Sequence, residues 1–450
     1  MKKIVGSVML LVLFITGGAL AQGAPELSPE KKLSTLPVQS GGRLKTLDTL
    51  SRETVRLVTG KVEFNDQDPI LTLLSWWADP ETTKKAEIIE FRDLETKKKL
   101  GLDPDKRWYT YEQLVDNKEL TAAQEEIHQL FKLEEELDSE QEKLQELLVK
   151  VNAVHQIMDG TVLQAVPNPE GLQEDWGSFG DLEHAGTLEV VQPAVKAVKQ
   201  LREAVKSGDQ ALFQTSVVAT CQELARLGPV PEEQMMAREV RYNEFHPFRK
   251  AWILYLCGLL VLSFVRQPSG DSEKPKRSNG YWAGFSLITA GFLLHIYGFV
   301  LRCLIAGRPP VTNMYESVIW VAFGAVFFAL ILELIYSKRY YLIAASAGAV
   351  VCLVLADILP TVLDPSIHPL TPVLRSNFWL TIHVLSITLG YAAFLLALGL
   401  GHIVLWKCAL RPKEAENISS LHDALYRSLQ IGVLLLAAGT ILGGVSNKYT

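Results

Sequence analysis

The chain has 450 residues, 48% hydrophobic and 21% charged, with a formal net charge of −6. That balance, with no Lys/Arg stripe carrying interleaved aromatics, excludes a nucleic-acid partner. The apolar fraction averages two unlike parts: residues 22–250 are strongly charged, whereas 251–450 contain six apolar stretches. The expected fold is mainly α, an exported and mostly helical soluble domain followed by a polytopic helical membrane domain of about six helices.

The first 21 residues read as a signal peptide. Lys2 and Lys3 precede the apolar run Ile4 to Ala19, and Ala19-Leu20-Ala21 offers small residues for cleavage. An uncleaved anchor is the other reading. In both, the next domain lies outside the cytoplasm.

Within 22–250 the strongest pattern lies near 120–158. Leu130, Leu137, Leu144, Val151 and Met158 repeat every seven residues, with Leu133, Leu147 and Val154 at the complementary position. This heptad pattern predicts a long amphipathic helix or coiled-coil arm, with a helical hairpin as the alternative because Glu140 interrupts the seam. Trp76-Trp77, after Leu71–Leu74, is expected to pack a core. His128, His155, His184 and His246 show no metal-ligand spacing. Cys221 is the only cysteine before residue 251, so this domain has no internal disulfide. Neither C-x-x-C nor C-x-x-C-H occurs, which excludes a thioredoxin-like thiol pair and a c-type haem attachment site.

The apolar stretches are about Ala251–Val265, Tyr281–Leu301, Ser317–Tyr336, Tyr341–Leu363, Phe378–Trp406 and Leu429–Val445. Basic residues orient them. Arg266, Lys274, Lys276 and Arg277 fill one loop, Lys338 and Arg339 a second, and Lys407, Arg411, Lys413 and Arg427 a third. The opposite loops hold only Arg302, Arg308 and Arg375, and are expected to face outward. Arg249 and Lys250 break this bias, but a long exported domain before them orients the first span regardless.

Two histidines in these helices are candidates by position, because ionisable groups in a membrane are costly and imidazole ligates haem iron. His383 is expected at the outer interface. His295 lies deeper, roughly 9 Å below the surface at 1.5 Å per residue. Gly284, Gly291 and Gly298 recur every seven residues around it. Such a strip suits either close helix–helix packing or a groove through which a flat macrocycle reaches a buried ligand. Asp357, six residues from the outer end of its own stretch, is placed to meet His295 at one depth, either fixing the tautomer of a ligand histidine or forming a plain buried hydrogen-bonded pair. His368, between Pro365 and Pro369 in an outer loop, is a reserve ligand.

Two long motifs lie on the outer side: Gly307-Arg-Pro-Pro-Val-Thr-Asn-Met-Tyr-Glu-Ser317, and Trp379-Leu-Thr-Ile-His-Val384 with Gly390-Tyr-Ala-Ala-Phe394. With their order and predicted side, they make residues 251–445 resemble the membrane component of system II cytochrome c synthases, the CcsA/ResC type. Leu36-Pro-Val-Gln-Ser-Gly-Gly-Arg-Leu-Lys-Thr-Leu-Asp-Thr49 resembles the exported segment that precedes this core in some fused members. The resemblance implies a protein of the bacterial inner membrane that carries haem b as cargo and presents it at the outer face. There it is attached to the C-x-x-C-H thiols of an exported apocytochrome c. It also implies that His383 is one of two outer ligands of the presented iron; His295 and His368 are further haem-iron candidates on their position alone.

One departure accompanies the match. After Gly439-Thr-Ile-Leu-Gly-Gly444 the family pattern continues into a Trp-rich outer segment, whereas this sequence ends at Thr450. The chain is therefore expected to be a truncated product, one half of a split synthase whose partner polypeptide supplies the rest, or a degenerate copy, and to be inactive alone. A different class stays open: a non-enzymatic membrane module whose exported domain binds a partner, its histidines serving packing.

Overall fold

A computed structural model describes residues 28–184, 189–265, 278–360, 362–369, 377–410 and 419–449. The expected signal peptide over 1–21, the basic residues of 266–277, Arg375, and Arg411 and Lys413 lie outside the described residues. The chain divides into two compact units, residues 24–243 and 244–450. The division falls before residue 250 because the helix that starts at Pro247 already packs in the second unit.

The first unit is helical, with two short antiparallel hairpins. In the first, β1 (Pro37–Ser40) pairs with β2 (Arg43–Thr46) across Gly41-Gly42, both at positive φ. Two left-handed residues in a two-residue turn match the twist of the flanking strands, and glycine reaches that region without steric cost. In the second hairpin, β3 (Ile89–Glu90) pairs with β4 (Trp108–Tyr109). The long helices are α1 (Leu47–Thr59), α2 (Pro69–Ala78), α3 (Lys118–Lys132), α4 (Ser139–Met158), α5 (Gln192–Ser207), α6 (Gln210–Leu227) and α7 (Glu233–Phe245). The apolar faces of α1 to α6 meet in one core around Trp76 and Trp77, where the sequence put them, with Leu73, Leu147, Val154 and Val198.

The region near 120–158 is not one heptad-patterned helix. Glu134 takes a positive φ, α3 ends at Lys132, and Asp138 starts α4 with a capping box in which its carboxylate accepts from Gln141 N–H. A side chain that satisfies the first free N–H groups favours a new helix start over continuation through three consecutive glutamates. The two pieces pack as a hairpin, so the heptad leucines divide. Leu144 and Leu147 are buried, while Leu133 is 67% exposed at the tip.

The motif 36–49 is explained by what it clamps. Arg43 donates to both carboxylate oxygens of Glu239 in α7, at 2.8 and 3.2 Å. Thr49 donates to the same carboxylate at 2.8 Å, and Asn243 donates to Asp48 and Thr49 at 2.9 and 2.8 Å. Glu239 is buried, so each of these bonds offsets a desolvation cost.

In the second unit the helices are α8 (Pro247–Phe264), α9 (Asn279–Ala306), α10 (Met314–Tyr336), α11 (Tyr340–Ile358), α12 (Asn377–Leu410) and α13 (Ser419–Tyr449). Among the described residues, six helices are long and apolar enough to cross a membrane. The chain is a multi-pass membrane protein. Several run longer than their apolar stretches because capping groups lie outside them. Asn313 accepts from Glu316 N–H to start α10, and Gly307 ends α9 in the left-handed conformation. Helix α8 packs between α9 and α11; α10 and α12 pack on α11 and on each other; α13 packs on α12.

Candidate functional site

In the 307–317 motif, at one end of the bundle, a buried carboxylate organises two loops. Glu316, in the first turn of α10, has no exposed surface. Its Oε1 accepts from Arg302 Nε at 2.9 Å. Its Oε2 accepts from Arg308 Nη1 at 3.2 Å and from Thr312 N–H and Oγ1 at 2.8 and 2.9 Å. The remaining guanidinium donors reach the second loop. Arg302 donates to the carbonyls of Pro365 and Ser366 at 2.8 and 3.2 Å, and Arg308 to that of His368 at 2.7 Å. One carboxylate and two guanidiniums thus tie 307–313 to 362–369. Reading for histidines passes over this joint. The available signal was a glutamate following two arginines, eight and fourteen residues before it, in a region otherwise poor in charge.

His368 sits on that tied loop, exposed, with Nε2 2.9 Å from Asp364 Oδ2. Burial raises the Asp364 carboxyl, but hydrogen bonds from His368 and from Ser366 N–H outweigh it and hold it below the usual carboxylate value.

His383 lies in the second turn of α12, half-buried against α13. Its Nδ1 is 2.7 Å from the carbonyl oxygen of Gly439. A carbonyl only accepts, so Nδ1 carries a proton, and in the neutral ring the lone pair is on Nε2. That is the tautomer that ligates a metal through Nε2, with the other nitrogen oriented by a backbone carbonyl. Gly443, one turn on, lies against the same ring, so close that a Cβ there would stand 2.5 Å from Cε1.

His295 occupies a different pocket. It is fully buried in α9, and its ring stacks on Phe299 with 5.1 Å between centroids. Phe248 of α8 and Phe323 of α10 meet it edge-on. Nδ1 is 3.2 Å from the hydroxyl of Tyr255, and Nε2 is buried with no hydrogen-bond partner among the described residues. Asp357 does not meet it. That carboxylate takes Arg249 of α8 bidentately, at 2.8 and 2.9 Å, which also explains a cation on the side where the loop bias disfavours one. The glycine strip is a packing surface. Leu262, Tyr255 and Phe248 of α8 fill the places where Cβ atoms would stand on Gly284, Gly291 and Gly298. Along the strip itself, side chains of α8 rather than an open groove face α9.

The three candidate histidines are therefore not one cluster. His295 is enclosed by α8, α9 and α10, His383 faces α13, and His368 is on the tied loop. Among the described residues, no group of three or more His, Cys, Asp and Glu side chains is placed to hold a metal ion. The five cysteines are free thiols, and among the described residues His155 bonds to Tyr111 and Asp159 and His184 to the Gly180 carbonyl, within the first unit.

Comparison with known proteins places this constellation. Residues 311–446, which include His368, His383, Gly439 and Gly443, match the family model described as cytochrome C assembly protein. NrfI of Wolinella succinogenes is 25% identical over 445 residues, covering 94% of this chain and 47% of that protein. A cytochrome c biogenesis protein CcsA from Synechococcus sp. strain RCC307 is 30% identical over 221 residues, 42% of this chain and 69% of the relative. The CcsA of Chlorella vulgaris is 37% identical over 112 residues, 24% of this chain and 35% of that protein. The chain thus spans about half the length of NrfI. A match that begins inside the first outer motif and runs through the His383 socket, with two thirds of a CcsA covered, means that this chain belongs to the CcsA-type, system II cytochrome c biogenesis proteins.

Proposed function

We propose that this chain handles haem during cytochrome c maturation, taking haem b as cargo and presenting it at the outer face of a bacterial inner membrane for covalent attachment to an exported apocytochrome c. In this reading residues 24–243 lie in the periplasm, and the end of the bundle bearing Glu316 and His383 faces the same compartment. The observation that carries it is the state of His383: Nδ1 bonded to the Gly439 carbonyl, Nε2 left with the lone pair. His383 is the principal iron ligand. His295 is a second candidate at a separate site, supported by a buried Nε2 that has no hydrogen-bond partner among the described residues. His368 is held in reserve on a loop fastened by Arg302, Arg308 and Glu316. Membership of a cytochrome c assembly family, with relatives named for cytochrome c biogenesis, supports the cargo and the partner.

The chain's own residues bind and orient in this proposal. Haem supplies the iron and the vinyl groups that react with thiols; His383 offers the nitrogen, and the Glu316 joint keeps the flanking loops in register. The test is the absorption spectrum of the full chain purified from haem-replete cells. The expected result is a Soret band lost or strongly reduced in His383→Ala and lowered independently in His295→Ala. A colourless wild-type preparation, or a spectrum unchanged by His383→Ala, overturns the proposal.

A further inference from the structure

The face of α13 that meets His383 is built from glycines, and they differ in what they touch. At Gly443 an added Cβ would stand 2.5 Å from Cε1, 2.6 Å from Nδ1 and 3.2 Å from Nε2 of His383, closer than real side-chain contacts allow. At Gly439 it would stand 2.6 Å from Ile387 Cγ1 and 3.0 Å from the Ile387 nitrogen, so the missing side chain lets the Gly439 carbonyl come within 2.7 Å of the imidazole. At Gly444, the next residue along, it would meet nothing within 4 Å. Two of three neighbouring glycines thus serve one imidazole and its approach. Helix–helix packing alone does not explain why the tightest contact of Gly443 is with the one side chain of that turn able to ligate a metal.

We infer that Gly439 and Gly443 are positioning residues for His383. The first selects Nε2 as the donor nitrogen, and the second provides the flat seat against which the Nδ1–Cε1 edge of the ring rests. The inference rests on the haem-handling reading, which it deepens: the ligand's geometry is set by α13 rather than by α12, which carries the histidine. Among the described residues, the ring is oriented by its hydrogen bond to the Gly439 carbonyl and by its close approach to the backbone at Gly443. Moving α13 by less than an ångström, or adding one carbon to it, therefore re-aims Nε2.

The experiment compares Gly443→Ala with Gly444→Ala in the full chain in detergent, each titrated with hemin and read by absorption. Gly443→Ala should weaken hemin binding by about tenfold, the scale of losing a group that orients a ligand histidine. It should also shift the bound spectrum away from the wild-type one, whereas Gly444→Ala should match wild type. A thermal-unfolding cycle gives a readout that needs no haem. Gly443→Ala should lower Tm in the wild-type background but not in His383→Ala, where the ring it strikes is gone. Should Gly443→Ala bind hemin with wild-type affinity and spectrum, or destabilise both backgrounds equally, the positioning role is wrong. Should His383→Ala bind hemin as wild type does while the unfolding cycle still shows coupling, the seat is real and the haem reading fails.

Discussion

At the residue scale the molecule depends on a few polar groups placed where water cannot reach. Glu316 is the clearest, because its two oxygens satisfy donors from Arg302, Arg308 and Thr312. Breaking a buried pair costs about 3–5 kcal/mol, since the other charge stays buried without a partner. Glu316→Gln keeps the shape and removes the charge. It should lower the thermal midpoint markedly and make 362–369 more accessible to protease, as limited proteolysis with mass spectrometry would show. An unchanged cleavage pattern would mean that the arginines hold the loop without it.

Cys221 offers a contrast in the first unit. Burial pushes its thiol up from 9.0 to about 11, against a smaller opposing effect of Lys32. A raised folded value means stability that is complete below pH 9 and lost as pH rises toward 11. It also means few thiolates at neutral pH, and the thiolate is the nucleophile. Site-resolved alkylation should therefore find Cys221 slow at pH 8 in the folded chain, fast in urea, and accelerating steeply between pH 9 and 11. Rapid labelling of folded protein at pH 8 would contradict its burial.

At the element scale, patterns of spacing and what ends a helix carry different information. The seven-residue repeat of Leu137, Leu144 and Val151 marks a face that packs, and it does. It says nothing of the break, which comes from the Asp138 cap and the left-handed Glu134. A hairpin predicts unequal costs along one heptad series. Leu147→Ala, at a fully buried position, should cost about 2–5 kcal/mol, whereas Leu133→Ala at the exposed tip should stay within about 0.5 kcal/mol. Urea unfolding of the two variants would decide it, and equal losses would restore the coiled-coil arm. The glycine strip of α9 makes the same point from the other side: its spacing showed that something comes close, and only packing showed that Phe248, Tyr255 and Leu262 of α8 are what does.

At the scale of the whole molecule the loop charges predict a sidedness. Cysteines introduced at Ser272 and Ser366 into a background without native cysteines should label oppositely in intact cells. Position 366 should react with an impermeant maleimide, and position 272 only after permeabilisation. Labelling of 272 from outside would reverse the bundle and remove the proposed periplasmic placement of His383.

Composition and spacing by themselves determined a charged helical unit before an apolar bundle and the helices that can span a membrane. These are local properties, set by hydrophobic burial along single elements, and they survive without knowledge of neighbours. Partners are not local. The tertiary structure decided that Asp357 belongs to Arg249 and Tyr255 to His295, that Glu316 joins two loops far apart in the chain, and that a glycine carbonyl fifty-six residues from His383 orients its ring. Each is a choice among several groups of suitable chemistry at similar depth. Only the order in which the helices pack makes that choice.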